Sequence, residues 1–393
     1  MSQISSRERI RRAIDRQPVD HVPCCFMSFS ILRKRCEENR YEVAKAEREM
    51  GLDAKLFIPT ASRGERPEHP DLRGLPVHFR PEVEIREWRE TISGANDILH
   101  KEYVTPSGTL ETNVRLSDDW PHGDHIPFID DYQIPRTKNP LITEPADLEA
   151  LQHLLAPPRD EDIAAYKREA AEAKAFVEVH DVLLTGGWGV GMDMANWLCG
   201  MQDLMLMTVS DPDFVADLLE MIHAWNMARM EVMLSAPLDL FIRRAWYEGC
   251  DFVTPRFYRS VLLPQIQREV ELAHEHGARF GYICTSGIGP LIDPLRDSGI
   301  DVLIGVDPVQ GTYTDAAELK TTLGEDMCLW GGVSGAVTVE SGTETEVREA
   351  VREAVNTLGP EGFVLSPVDN LTLDQPRTWR NVEILIDEWK KTW

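Results

Sequence analysis

Short apolar runs alternate with longer amphipathic stretches along most of the chain. The runs are rich in β-branched and aromatic residues, which is typical of buried strands, and the stretches between them have the period of helices. Strands are predicted at residues 22–26, 53–59, 181–187, 238–246, 279–284, 301–306, 327–333 and 362–368. Helices are predicted at residues 31–50, 161–175, 196–207, 211–235, 255–276, 288–298, 313–323, 344–358 and 376–391.

Most of these strands are followed by a helix. Such alternation predicts parallel strands joined by right-handed crossovers, and eight of them close most economically into a (β/α)8 TIM-type barrel. The alternative is an open, doubly wound sheet. No glycine-rich dinucleotide-binding fingerprint follows the early strands, which favours the barrel.

Residues 60–150 interrupt the alternation. They are rich in Pro, Gly and Asp, and residues 100–116 have two alternating segments separated by Pro106, Ser107 and Gly108. This pattern predicts a β-hairpin with a tight turn. We therefore interpret residues 1–393 as a single barrel domain that carries an inserted subdomain at about 60–150.

Composition and charge exclude several classes of protein. Hydrophobic residues make up 42% of the chain and charged residues 27%, which suits a globular core. The net charge of −25 would repel phosphate backbones, so nucleic acid is not an expected partner. No apolar run is long enough for a membrane span, and the N-terminus lacks the apolar centre of a signal peptide. Seven cysteines, an odd number, suit a reducing compartment, so we expect a cytoplasmic protein that does not bind membranes.

Polar side chains recur at the ends of the predicted strands. In TIM-type barrels the loops after the strands bring such groups together at the mouth of one cavity. The acids or bases predicted from these positions are Glu248, Tyr282 and Asp307. The predicted substrate contacts are Trp188, Arg243, Tyr247, Thr285, Ser286, Gln310, Ser366, Asp369 and Asn370, and Cys284 is a tentative metal ligand.

Several of these residues have an equally simple structural explanation. Asp307 could accept hydrogen bonds from its own loop, and Cys284 could be a small buried hydrophobic residue. Arg243 and Arg244 are neighbours in one strand, so at most one of them faces the cavity. Glu248 and Asp307 follow the fourth and sixth strands, which predicts that both carboxylates share the mouth and that one of them titrates at a raised pKa.

Five segments resemble the uroporphyrinogen decarboxylase superfamily. They are RERIRRAIDRQPVDHVP, TPRFYRSVLLPQIQREVELAHEHGARF, GIGPLIDPLRDSGIDVLIGVDPVQ, LWGGVSG and GFVLSPVDN, in this order along the chain. The superfamily includes the tetrapyrrole decarboxylase and the corrinoid-linked, zinc-dependent methyltransferases. The resemblance implies a barrel enzyme with a small-molecule substrate, and it also implies a homodimer.

The chain departs from the decarboxylase at the first strand. An arginine-rich block that binds substrate carboxylates follows this strand in the decarboxylase, whereas this chain reads CCFMSFSILRKR there. Arg33 and Arg35 come too late and lie in the predicted helix. Because a substrate with eight carboxylates needs several positive partners, this departure argues against the decarboxylase reaction itself.

The chain also departs from the zinc site of the methyltransferases. That site uses a His-x-Cys at the end of the fifth strand and a later Cys near the end of the last strand. Here the two places read Tyr282-Ile283-Cys284 and Pro367-Val368-Asp369. Catalytic zinc usually takes three protein ligands, so the family's site cannot form, although a variant with Cys284 and Glu248 or Asp369 stays open.

Three functions follow from these patterns. The first is a methyltransferase-like enzyme that moves a methyl group between a small methylated substrate and a corrinoid carried on a partner protein. The second is a decarboxylase or lyase acting on a small acid or a tetrapyrrole-like substrate, with Arg243 or Arg244 as carboxylate anchor. The third is a barrel that binds ligands without catalysis. Zinc and a corrinoid are the cofactors that the resemblance implies.

Overall fold

A computed structural model describes residues 4–59, 74–189, 191–311 and 315–393. Seven parallel strands form a curled, TIM-like sheet and confirm the predicted α/β barrel architecture. The strands follow one another in the sheet as they do in the sequence. They are β1 (Lys55–Ile58), β6 (Leu183–Gly189), β7 (Leu240–Arg244), β8 (Arg279–Ile283), β9 (Val302–Val306), β10 (Cys328–Ser334) and β11 (Phe363–Val368).

The predicted first strand, residues 22–26, is not a regular strand. It lies between β11 and β1, because the Cys25 amide donates to the Leu365 carbonyl (3.0 Å) and the Asp53 amide donates to the Cys24 carbonyl (2.9 Å). One isolated parallel bridge joins Cys24 to Leu365 of β11, and a second bridge, from Ser28 to Asn370, follows the segment. Pro23 has no N–H, and the Cys24 amide donates to the Asp53 carboxylate (3.0 Å), so a continuous ladder to β1 cannot form.

Helices cover the outer face of this sheet, and most predicted helices are confirmed within a few residues. The prediction for 313–323 includes residues 313 and 314, which lie outside the described residues. Among the described residues no helix is long and apolar enough to cross a membrane. The helices are α1 (Ser6–Ile14), α2 (Ser30–Arg35), α3 (Arg40–Glu49), α4 (Asp147–Leu151), α5 (Asp160–His180), α6 (Gly191–Cys199), α7 (Met201–Ser210), α8 (Pro212–Leu234), α9 (Pro255–Phe257), α10 (Leu263–Glu275), α11 (Ile292–Ser298), α12 (Ala316–Leu323), α13 (Glu344–Leu358) and α14 (Pro376–Lys390).

Local sequence signals explain where several helices begin and end. Thr343 and Glu346 form a reciprocal capping box at the start of α13. Helix α10 ends directly before His276, and Gly277 follows with a φ of 78°, as the predicted stop requires. These signals fix where the chain leaves each helix and re-enters the sheet.

The barrel is closed at the N-terminal end of its strands by α1. Ile10, Ala13 and Ile14 of this helix are buried in one apolar cluster with interior residues such as Leu240 and Val302. At the opposite end, the strands lead into loops that contribute residues to a cavity. The fold therefore has one closed end and one mouth.

The inserted region forms a separate antiparallel sheet. Its strands are β2 (Glu84–Glu90), β3 (Ile98–Thr105), β4 (Gly108–Arg115) and β5 (Thr137–Asn139). Strands β3 and β4 pair as the predicted hairpin, with Thr105 opposite Gly108. Tyr103, Leu110 and Phe128 are buried in the same apolar cluster as the barrel's outer layer. The insertion thus shares its core with the barrel and packs as one layer of it.

A substitution at Gly187 tests whether the close contact between β6 and β7 leaves room for a side chain. Gly187 has a φ of 113°, and a Cβ there would meet the Ile242 carbonyl oxygen and lie 2.8 Å from the Ile242 amide nitrogen. We expect Gly187→Ala to lower the free energy of unfolding by more than about 4 kcal/mol or to prevent folding. Urea denaturation of the purified variant measures this.

Gly108→Ala is the matched control. Gly108 has a φ of 144°, but a Cβ there meets nothing within 4 Å. It should cost only the backbone strain of about 1–3 kcal/mol. Equal losses in the two variants would show that strand contact at Gly187 does not matter.

Candidate active site

A cavity of about 440 Å3 lies inside the barrel at the C-terminal ends of the strands. Its wall combines aromatic and aliphatic side chains with a few charged groups near the closed end and the mouth. The lining residues are Met27, Ser28, Lys55, Phe57, Asp131, Ile242, Arg244, Trp246, Tyr247, Phe252, Ile283, Thr285, Ser286, Ile304, Trp330, Asp369 and Asn370. This size suits a small molecule.

The lower wall of the cavity is apolar except for one lysine. Ile242, Ile304 and Trp330 point inward from β7, β9 and β10, and the indole N–H of Trp330 donates to the Cys25 carbonyl (2.9 Å). Lys55 and Phe57 point inward from β1 because alternate residues of a strand face the same side. Lys55 is the first residue of β1 and therefore lies nearest the closed end.

An arginine at the end of β7 joins the barrel to the insertion. The Arg244 guanidinium donates to both carboxylate oxygens of Asp131, at 2.8 and 2.7 Å, and its Nε lies 2.6 Å from the Asp193 carboxylate. Burial acts to lower the pKa of Arg244, but Asp193 and Asp131 outweigh it and raise the pKa. Its charge is thus matched within the protein.

Asp369 is a carboxyl group at the mouth that has an unusual backbone conformation. It directly follows β11 with a φ of 67°, a left-handed conformation that few non-glycine residues adopt. Its side chain is exposed to the cavity mouth, yet the surrounding protein removes enough water to raise its pKa, and Asp307 and Glu340 raise the pKa further. Asp369 is therefore a carboxyl that holds its proton more firmly than an ordinary aspartate.

Five of the predicted substrate contacts do line the cavity. They are Tyr247, Thr285, Ser286, Asp369 and Asn370, which follow β7, β8 and β11. Burial raises the pKa of Tyr247 to about 12, and nearby Asp131 raises it as well, so the phenol stays protonated and can donate a hydrogen bond. The Asn370 side chain accepts a hydrogen bond from the Ser30 amide (3.1 Å), which fixes its position.

Arg243, Glu248 and Tyr282 lie outside the cavity lining, contrary to the prediction. Arg243 and Tyr282 alternate with the cavity residues of β7 and β8, so they point outward to the helices. Glu248 lies among the same side chains and is fully buried.

These three side chains form one buried polar network. The Arg243 guanidinium contacts Glu248 at 2.5 Å and Glu269 at 2.6 Å, and the Tyr282 hydroxyl donates to Glu248 at 2.6 Å. Glu248 also accepts from the Met192 amide (3.1 Å) at the start of α6. A carboxylate that is bound by this many protein donors acts as a structural group.

The other predicted site residues are Asp307, Gln310, Ser366 and Trp188. Asp307 is buried and accepts from the Val309 and Gln310 amides, at 2.8 and 3.0 Å, so it structures its own loop. Gln310 itself is exposed. Ser366 accepts from the Met27 amide (2.7 Å) and is buried beneath the cavity wall. The side chain of Trp188 lies outside the described residues.

Glu248 and Asp307 consequently do not share the mouth as two coupled carboxylates. Each is occupied by protein donors of its own, one in the network behind β7 and the other in the loop after β9. Neither lines the cavity. The carboxyls that do line it are Asp131 and Asp369, and the raised pKa belongs to Asp369.

The residues around Cys284 do not fit a zinc site. The Cys284 thiol is fully buried and donates to the Ser286 carbonyl (3.4 Å), and burial raises the pKa of this thiol well above its usual range. Zinc binds the thiolate, which such burial disfavours. Within the described ranges no group of three or more His, Cys, Asp or Glu side chains is arranged to hold a metal ion.

Three charged residues of the cavity lining are not among the predicted site residues. Lys55 is a charged residue inside an apolar strand, and its spacing from Phe57 could have revealed it. The sequence predicts Arg244 only as the alternative to Arg243 in the role of carboxylate anchor. Asp131 reaches the cavity from the insertion, and no pattern in the sequence places a loop of the insertion against β7.

The buried network predicts a large effect on stability. Glu248→Gln removes the charge that faces Arg243, and breaking a buried ion pair on one side costs about 3–5 kcal/mol. Tyr282→Phe removes only one hydrogen bond and should cost about 1–3 kcal/mol. Chemical denaturation measures both free energies. A Glu248→Gln variant that unfolds like the parent but no longer binds ligand would instead place Glu248 in the site.

Comparison with known proteins agrees with this fold. A methyltransferase from Methanosarcina mazei matches 99% of this chain and 99% of its own, with a TM-score of 0.59 and 16% identity. A B12-independent methionine synthase from Shewanella sp. W3-18-1 matches 94% of this chain and 97% of its own, with a TM-score of 0.48 and 9% identity. A search of curated protein sequences gives no match.

These similarities in shape describe the fold alone, since the sequences have diverged so far. The sequence itself carries the family relation. A family model for uroporphyrinogen decarboxylase (URO-D) matches residues 123–391, which is more than half of the chain. The chain therefore belongs to the uroporphyrinogen decarboxylase family, a family of enzymes.

Proposed function

We propose that this protein transfers a methyl group from a small methylated compound to a corrinoid carried by a partner protein. The observation that carries the proposal is the position of Asp369, a carboxyl with a raised pKa at the mouth of a largely apolar cavity. Such a group can protonate the heteroatom that loses the methyl group. The likeness in fold to a methyltransferase is consistent with this activity.

The cavity is unsuited to the tetrapyrrole with eight carboxylates. Among the described residues, Lys55 and Arg244 are the cations of its lining, and Arg244 is paired with Asp131 and Asp193. Burying a neutral polar group without a partner costs on the order of 2–7 kcal/mol, and burying an ionised carboxylate without a positive partner costs far more. A small substrate with few charges meets no such penalty.

The chemical step can be written with this chain's own residues. An electron pair of the acceptor forms a bond to the methyl carbon as the bond from that carbon to the donor's heteroatom breaks. The electron pair of the broken bond stays on the heteroatom, which takes the proton from Asp369. The products are the methylated acceptor, the protonated leaving compound and an ionised Asp369, which regains a proton from water.

The walls of the cavity supply orientation. Phe57, Trp246 and Trp330 present flat apolar surfaces, and Trp330 is fixed by its hydrogen bond to the Cys25 carbonyl. A substrate held against such rings loses few orientations when it reacts, which lowers the entropic part of the barrier. The Tyr247 hydroxyl is a further donor near the mouth.

The acceptor must approach from outside, since the cavity is too small to admit a corrinoid beside a substrate. Exposed apolar side chains follow three neighbouring strands at this end of the barrel: Val309 after β9, Val337 after β10 and Leu373 after β11. An apolar rim of this kind suits contact with another protein. It supports an acceptor that docks over the mouth.

A decarboxylase or lyase acting on a small acid is the second candidate. Lys55 favours it, because an ammonium inside the cavity can hold a carboxylate. A panel of small O-, N- and S-methylated compounds and small acids separates the two activities. Methyl transfer to added reduced cobalamin supports our proposal, and release of carbon dioxide without methyl transfer supports the alternative.

Asp369→Asn should lower the rate of methyl transfer by about 100-fold, since general acid catalysis contributes at least that much. Substrate affinity should change little. The matched control is Asp374→Asn, an exposed carboxylate of the same loop that lies outside the cavity lining. An Asp369→Asn variant as fast as the parent would remove Asp369 from the mechanism.

The pH dependence of kcat follows from the same carboxyl. Because the reaction needs protonated Asp369 and its pKa is raised, kcat is highest at low pH and falls as the pH rises through this pKa. The midpoint should lie above the ordinary range of an aspartate. The Asp369→Asn profile should be flat over the same interval, and a parent profile that rises with pH would contradict the assignment.

A further inference from the structure

We infer that Lys55 forms an anion-binding subsite at the closed end of the cavity and that the substrate is a small acid. The inference rests on the proposed function in one respect only: the methyl group to be transferred lies at the opposite end, near Asp369. The subsite itself follows from the contacts of Lys55. It makes Lys55 a specificity-determining residue.

The Lys55 ammonium is anchored on one side by the backbone. It donates to the Phe26 carbonyl and to the Met27 carbonyl (3.1 Å), both in the segment that closes the barrel between β11 and β1. An ammonium has three N–H donors, so one remains after these two bonds. Lys55 lines the cavity, and the remaining donor is therefore available to a ligand.

Within the part of the chain that the structure describes, no carboxylate pairs with the positive charge of Lys55. Among the described residues no Asp or Glu oxygen lies within 4.0 Å of its nitrogen. Glu47 on α3 lies farther than 4.0 Å from this nitrogen, and burial raises the pKa of the Glu47 carboxyl to about 7. Arg244, by contrast, is paired twice.

The surroundings of Lys55 strengthen its attraction for an anion. Phe57, Ile242, Ile304 and Trp330 line the same cavity as Lys55, and the ammonium lies 5.6 Å from the centre of the Trp330 ring. Apolar walls screen charges less than bulk water does. A carboxylate that displaces water here gains both a charge-assisted hydrogen bond and an incompletely screened attraction.

These positions define the shape of the expected ligand. Its carboxylate lies at Lys55, a flat apolar body lies against Trp330 and Phe57, and its methylated end faces Asp369 and the mouth. Lys55 binds this carboxylate through a charge-assisted hydrogen bond. Lys55 therefore acts as an anchor.

Benzoate and benzamide provide a direct test, since they share a flat ring and a similar size but differ in charge. The intact protein should bind benzoate at least about tenfold more tightly than benzamide, measured by titration calorimetry and by tryptophan fluorescence. Lys55→Met should abolish this preference and leave benzamide affinity unchanged within about twofold. Lys55→Arg, which keeps the charge, should retain a preference for benzoate.

Lys45→Met is the control for the loss of one lysine. Lys45 is exposed on α3, far from the cavity lining, and this variant should keep the full preference for benzoate. Thermal unfolding of each variant establishes that it folds. Failure of the parent to bind benzoate, equal binding of the two probes, or a preference that survives in Lys55→Met overturns the inference.

Binding of these probes needs neither acceptor nor turnover, so the two proposals fail separately. Benzoate binding through Lys55 without methyl transfer from any methylated acid would refute the proposed function alone. Methyl transfer without a preference for acids would refute the subsite alone. If Lys55→Met does not fold, Lys55→Arg and the dependence of parent affinity on ligand charge decide the question.

Discussion

The alternating direction of side chains along the barrel strands determines which residues face the cavity and which are buried against the helices. On β7, Ile242 and Arg244 face the cavity, while Arg243 between them faces the helices. On β8, Ile283 faces the cavity and Tyr282 does not. One arginine therefore belongs to the site and its neighbour to the core, although the two are adjacent in sequence and alike in charge.

Buried charges on both sides of β7 are compensated, which keeps the strand in register. Behind it, Arg243 is held by Glu248 and Glu269, and in front of it Arg244 is held by Asp131 and Asp193. Each carboxylate comes from a different segment, so the pairs tie α6, α10 and the insertion to one strand. Removing one partner would leave an uncompensated buried charge, which is costly.

The sequence predicts the barrel well, because period-2 and helical patterns together with chain order determine where its parallel strands lie. It predicts the first strand less well, since Pro23 and the Asp53 carboxylate interrupt the ladder there. Among site residues, those directly after a strand, such as Thr285 and Asp369, were predictable. Glu248 and Tyr282 do not line the cavity. The predicted bounds of a strand do not decide which of its alternating residues face the interior of the barrel, and a shift of one residue reverses the direction of a side chain. The position of Asp131 could not be predicted, because no sequence pattern shows how the insertion packs against the barrel.

The positions of the charged groups along the cavity favour one orientation of a bound ligand. Lys55 lies at the closed end without a carboxylate partner among the described residues, and Asp369 lies at the mouth with a raised pKa. Between them the wall is largely aromatic and aliphatic, so a ligand in the reverse orientation would place its anion beside the Asp369 carboxyl and leave Lys55 unmatched. Desolvation of these unmatched charges penalises that arrangement. A small acid consequently enters with its anion first, and the end that remains at the mouth is the one an external acceptor can reach.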